Sequence, residues 1–316
     1  MNNYSALSVP RGMIKFAQII GTVFSVIGLA AMIFYLNDIR NGIGNGINQE
    51  TAVLSVSLIL AFTVYLTWKT IYTAVVIVKF VNKASDQEVL DNKYILATLS
   101  LTLGGFLTPF ILTSFPNVPS NSSINPRWFL TRVLGMTTLV GGALFLLTFI
   151  TTALTTNYNG ATVSFNELTQ NVYGIVGLVF GIATLVLGTI AVSLFFQNSS
   201  KEIFFGDTGM AKLMNVVAIA YLIIASIELV YLMFIAIIRL LGAIADLFRA
   251  FGQDGGFMKF MYITAALANL AITMMYVSII IRIASQSLVG IWQKDGQVKI
   301  TEFESINRAE QKRNYK

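Results

Sequence analysis

Seven stretches of this chain are apolar for more than 20 residues each, at roughly 13–36, 51–81, 94–115, 129–154, 172–196, 213–241 and 258–289. A hydrocarbon core of about 30 Å is crossed by about 20 helical residues. In lipid every backbone polar group must also be satisfied within the structure, which leaves the helix as the natural conformation for such runs. The chain therefore reads as an all-α polytopic integral membrane protein in a lipid bilayer. Charged residues make up 11% of its 316 positions, against roughly 25% in soluble domains. Residues 1–290 are read as a transmembrane bundle and 291–316 as a polar cytoplasmic tail. The first run is too long for the apolar region of a signal peptide and is read as a retained span.

The third run, 93-KYILATLSLTLGGFLTPFILTSFP-116, is interrupted by Gly104, Gly105 and Pro109. Glycine pairs and proline break the helical hydrogen-bond ladder, and broken backbone at membrane depth survives only where protein or a water-filled cavity satisfies it. Two topologies follow. With seven full spans, 12 basic residues fall inside and 8 outside. With a third run that re-enters and returns to its own side, sixteen basic residues share one side against four, leaving Lys69 within a span. Lysine and arginine are retained on the cytoplasmic side. Six full spans plus one re-entrant segment is the favoured reading, with both termini cytoplasmic and residues 157–170 outside.

An internal repeat points the same way. The stretch 9-VPRGMIKFAQIIGTVFSVIG-28 resembles 125-NPRWFLTRVLGMTTLVGGAL-144. Each is followed by a loop bearing asparagine and glycine, a second span, and a short charged connection, which suggests units of about 9–116 and 125–290. Units in one orientation need an even number of crossings each, which again requires the third run to return. Apolar segments also resemble one another through composition alone.

The chain has neither cysteine nor histidine. Disulfides, thiolate metal sites and the commonest general base are excluded, so no catalytic, cofactor-binding or metal site is expected and the chain is read as not an enzyme. No nucleic-acid motif occurs. Abundant asparagine and isoleucine suggest a bacterial source, hence a plasma (cell) membrane location. The tail, with mixed charge and no apolar face, is read as disordered or as a short β-like patch near 298–303, available to other membrane subunits or a cytoplasmic partner.

Ionisable residues inside the spans carry the functional signal, because each is costly unless paired, hydrated or able to reach the interface. A span counted from Thr51 ends near Thr70, which makes Lys69 an interfacial anchor beside Trp68, Tyr65 and Tyr72. In the other frame, with the span nearer 58–79, Lys69 lies at mid-depth and needs a carboxylate, which makes it a counter-charge to Glu228. Glu228 lies 16 positions after Lys212 and 11 before Arg239, and its stem is too short to reach either interface. Tyr221 and Arg239 fall on its helical face, and the next span carries a matching stripe of Tyr262, Asn269, Thr273 and Tyr276. The expectation is a buried Glu228 facing Asn269, with Tyr221 and Tyr276 lining the same path. The bland alternative is a glutamate that merely holds two helices together.

In the fifth run Gly174, Gly181 and Gly188 recur every seven residues, with Gly177 nearby. This spacing lines one helix face and predicts close packing against a neighbour. Gly21, Ser25 and Gly28 repeat the theme in the first run. Taken together, these features favour a small-molecule or ion transport component over a non-transporting structural or assembly subunit.

Overall fold

The computed structural model describes residues 8–44, 48–101, 107–114, 125–158, 161–253 and 255–292. Among the described residues six helices are long and apolar enough to cross a membrane: α1 (Arg11–Phe34), α3 (Gln49–Lys83), α7 (Pro126–Thr155), α9 (Val172–Phe195), α11 (Gly209–Phe251) and α12 (Gly256–Trp292). Short helices join them: α2 (Leu36–Gly44), α4 (Asp86–Asp91), α5 (Lys93–Ser100), α6 (Leu107–Ser114), α8 (Phe165–Gln170) and α10 (Ser200–Phe205). A two-residue ladder pairs β1 (Asn157–Tyr158) with β2 (Ala161–Thr162). The chain is an all-α, multi-pass membrane protein.

The helices start where the sequence offers caps. Asn125 accepts hydrogen bonds from the N–H groups of Arg127 and Trp128, and Pro126 occupies the first helical position, where no N–H is needed. Ser85 with Glu88, and Ser164 with Glu167, close reciprocal capping boxes on α4 and α8. The Ser164 backbone N–H bonded to Glu167 holds that carboxyl below its usual range.

Among the described residues the third apolar run forms no spanning helix. α5 and α6 have eight residues each, about 12 Å of helix, and neither crosses a core of about 30 Å. Gly104 and Gly105 lie outside the described residues. Pro109 sits in the first turn of α6, where N–H groups lack intrahelical partners anyway. Phe80, near the end of α3, meets Phe129, near the start of α7, at a ring separation of 6.0 Å. The chain thus leaves and re-enters the bundle at one end, so 84–125 returns to its own side. Gln18 of α1 donates to Thr108 of α6 in a buried hydrogen bond of 2.6 Å, which ties the returning segment to the first span.

That end also gathers the start of α1. The Arg11 guanidinium donates to Asp86 at 2.6 and 2.9 Å and to the Val81 carbonyl at 3.1 Å. At the opposite end, Leu168 of α8 and Val163 pack with Val53, Leu54 and Ala153, and the Asn171 side chain donates to Thr51 at 3.0 Å. α3 and α7 run antiparallel between the two ends. At mid-height Phe62, Phe145 and Phe180 form a cluster with centroid separations of 4.6 to 4.9 Å.

α7 and α9 touch along their small residues. Gly177 faces Phe149, Gly181 faces Phe145 and Leu146, and Gly188 faces Leu139, while Gly174 lies against the Leu168 backbone at the end of α8. A Cβ at any of the four would collide. α7 answers with its own pair: Gly135 faces Ala191 and Gly142 faces Thr184. In the first run Gly21 and Ser25 are buried, whereas Gly28 faces open space.

α11 and α12 are the longest helices, at 43 and 37 residues, about 64 and 55 Å. α11 exceeds the run read from composition because no proline intervenes before Gly252, and Gly242 alone does not stop the helix. A turn at Gly255, with φ of +108°, reverses the chain, a conformation glycine adopts without steric cost.

Candidate functional site in the bundle interior

Lys69 is buried, 14 residues or about 21 Å of helix before the end of α3 at Lys83. Its Nζ lies 2.5 Å from Glu228 Oε2. The pair joins α3 to α11 at mid-length of both helices. The expectation of an interfacial anchor is therefore wrong. An apolar run of 31 residues contains several windows of 20, and hydropathy alone did not identify the one that the bundle buries. α3 continues unbroken well past Thr70, so Lys69 enters the interior and needs the carboxylate that mid-depth demands.

The expected partner of Glu228 is corrected by the same geometry. Asn269 is exposed. Tyr276, seven residues after it, lies beside the Arg239 guanidinium with 5.9 Å to the ring centroid, and Arg239 is itself eleven residues beyond Glu228. Because α12 runs back antiparallel to α11 from the Gly252–Gly255 turn, Asn269 is level with the last turns of α11. Tyr276 thus belongs with Arg239, and neither it nor Asn269 reaches the carboxylate.

Tyr221 does share the interior with Glu228. It is buried, and its hydroxyl shares a hydrogen bond of 2.7 Å with Thr138 of α7. A buried phenol needs such a partner. Ser226, two residues before Glu228, accepts from Trp292 Nε1 at 2.7 Å, which fastens the end of α12 to the same stretch of α11.

The two charges of the pair have different surroundings. The Lys69 side chain is 7% exposed and that of Glu228 40%, because Glu228 borders a cavity of about 650 Å³ enclosed by α3, α7, α9 and α11. Phe62, Leu66, Phe180 and Ile224 supply its apolar walls, with Tyr65, Thr138, Thr184 and Tyr231 as the polar groups besides Glu228. Tyr65, which the sequence places among the interfacial aromatics, is buried here instead. Ala183 and Leu187 of α9 and Tyr231 of α11 are exposed at the rim. These positions are mid-helix, so the cavity opens sideways between α9 and α11 rather than at an end of the bundle. It can hold a molecule with an apolar body and one charged or hydrogen-bonding group.

Thr138, Thr184, Gly135 and Gly142 are the contributors that sequence reasoning missed. The two glycines are seven apart, the spacing that singles out the stripe on α9. The threonines carried no signal, since a threonine inside a span ordinarily bonds its own helix, as Thr184 also does toward Phe180 and Gly181. Among the described residues no three acidic side chains gather as a metal site would require.

No protein-family model matches this chain, and neither the curated proteins nor the solved structures compared with it give a match.

Proposed function

We propose that the protein is a transport component for a small molecule or ion, and that the Lys69–Glu228 pair with its cavity is the transport site. The observation that carries this reading is the asymmetry of the pair: an ammonium sealed among helices holds a carboxylate whose other side faces a cavity. A clamp between helices needs no cavity. Intramembrane charge bordering one is the usual setting of an ion or substrate pathway. The sideways mouth suits a ligand that enters from the bilayer. Catalysis plays no part in this reading.

The end of the bundle bearing Arg11, Lys79, Lys83, Arg127 and Arg132 is assigned to the cytoplasm of a bacterial cell membrane by the positive-inside tendency. In the cysteine-free chain, a cysteine replacing Phe165 should then react with an impermeant thiol reagent in intact cells, and one replacing Lys201 should not.

Transport is tested in vesicles with an entrapped pH dye, challenged with proton, sodium and potassium gradients and with lipophilic cations. The wild-type chain should move at least one of these. The double variant Lys69→Met with Glu228→Gln should keep most of the wild-type stability and lose the flux. Full flux in that variant would overturn the site. A second reading, a scaffold subunit, draws on the sealed Lys69 holding α3 to α11; it is favoured if no gradient dissipates while the single variants melt early and the double does not.

A further inference from the structure

A second cavity, of about 580 Å³, lies at the basic end where α3 finishes and α7 begins. Lys79, Lys83 and Arg132 line it together with one carboxylate, Glu88. That carboxylate is already engaged, accepting the Ser85 backbone N–H at 2.7 Å within the α4 capping box. Among the described residues the three cations form no ion pair. Arg132 is held in place by two rings, its guanidinium 5.2 Å from the centroid of Trp128 and 5.0 Å from that of Phe196. Such stacking fixes a planar cation that remains able to fork onto an oxyanion.

The rest of the lining is apolar. Val76, Phe80 and Phe129 stand among the cations, Val76 nearly a turn deeper in α3 than Lys79, and Phe80 and Phe129 pack edge to face. A site for a fully soluble anion has no use for such a lining. Three cations against one carboxylate, set among apolar side chains, match an amphiphile with an anionic head, and basic pockets between membrane helices hold phosphate headgroups through this arrangement. We propose that this pocket binds a phosphate group, carried by an anionic glycerophospholipid whose chain lies along Val76, Phe80 and Phe129. The inference does not depend on transport, since it uses none of the residues around Glu228.

The test titrates the purified full chain in non-ionic detergent with phosphatidylglycerol, phosphatidylcholine and glycerol 3-phosphate, following bound lipid by native mass spectrometry. Phosphatidylglycerol should bind more tightly than phosphatidylcholine, and the double variant Lys83→Gln with Arg132→Gln should weaken it about tenfold or more. The control Lys201→Gln with Lys212→Gln removes two exposed cations elsewhere in the chain and should leave binding unchanged. Should the pocket double variant fail to fold, Lys79→Gln alone, on the exposed face of α3, should still weaken phosphatidylglycerol several-fold. Equal binding of the two lipids, or an equal loss in the control, would overturn the site. Glycerol 3-phosphate binding as tightly as phosphatidylglycerol would overturn the lipid assignment in favour of a soluble phosphate compound.

Discussion

Among the described residues two ion pairs join separate helices, and they differ sharply in their surroundings. Arg11 and Asp86 meet at the basic end with side chains 34% and 38% exposed. Lys69 and Glu228 meet in the interior at 7% and 40%. At the exposed pair water shares the charge with both partners, so losing one strands little, and such pairs contribute up to about 1 kcal/mol. In the interior, among the described residues, Lys69 pairs with Glu228 alone. Removing one partner of a buried pair costs roughly 3–5 kcal/mol, because the survivor is left charged without compensation. The unequal exposure adds a refinement: Glu228 has a cavity to turn toward, and Lys69 has none.

The sharpest way to break this comparison is Glu228→Gln, which strands the sealed ammonium. It should lower stability in reversible unfolding from mixed micelles by about 3–5 kcal/mol, and Lys69→Met should cost less. Lys69→Met combined with Glu228→Gln should recover most of the loss. Equal costs for the two single variants would show that the cavity gives the carboxylate no relief.

Packing supplies the next effect in size. Gly188→Leu drives a side chain into the Leu139 backbone of α7 and should cost about 1–3 kcal/mol. Gly28→Leu, with open space around it, should be nearly silent in the same assay. A similar loss at both positions would mean that helix propensity, and not the α7–α9 contact, governs the response.

Gln18→Leu leaves the buried Thr108 hydroxyl without its 2.6 Å partner, at a cost of about 1–3 kcal/mol. Its signature is local: a cysteine replacing Leu107 should become more reactive, while the melting of the six long helices shifts little.

The smallest effect belongs to the exposed pair. Hydrogen bonds from the Arg11 guanidinium hold the Asp86 carboxyl below its usual range. Because the folded-state pKa lies under the unfolded one, the contribution is present above the unfolded value of roughly 4 and is lost as the pH falls through the folded value. Asp86→Asn should therefore cost under about 1 kcal/mol at neutral pH and nothing measurable at a pH well below the folded value. A pH-independent loss would point to the Val9 backbone contact at 3.3 Å instead.

Much of the architecture was legible because the bilayer imposes a length. Six spanning helices follow from apolar run length, and the third run, read as broken from its glycines and proline, yields only the short α5 and α6 among the described residues. The α9 stripe was legible too, since a period of seven needs no knowledge of the partner. What hydropathy could not supply was vertical position. Lys69 and Asn269 were both misplaced for this reason: each sits in a run longer than a membrane is thick, and the true register is set by Phe80 against Phe129 in one case and by the Gly252–Gly255 turn in the other. Pairing between residues 159 positions apart has no sequence period, so the need of a mid-depth Lys69 for a carboxylate pointed to Glu228 by elimination only.

The segment between α3 and α7 changes the arithmetic of the whole chain. Because 84–125 enters and leaves the bundle at one end, it contributes an even number of crossings, and parity is conserved across it. α7, α9, α11 and α12 therefore take the orientation they would have if α3 were joined to α7 by a plain loop. Had that segment crossed the bundle once, each later span would face the other way, and the carboxylate of Glu228 would approach Lys69 from an inverted α11. The pairing of the two intramembrane charges thus depends on a returning connection that neither charge touches.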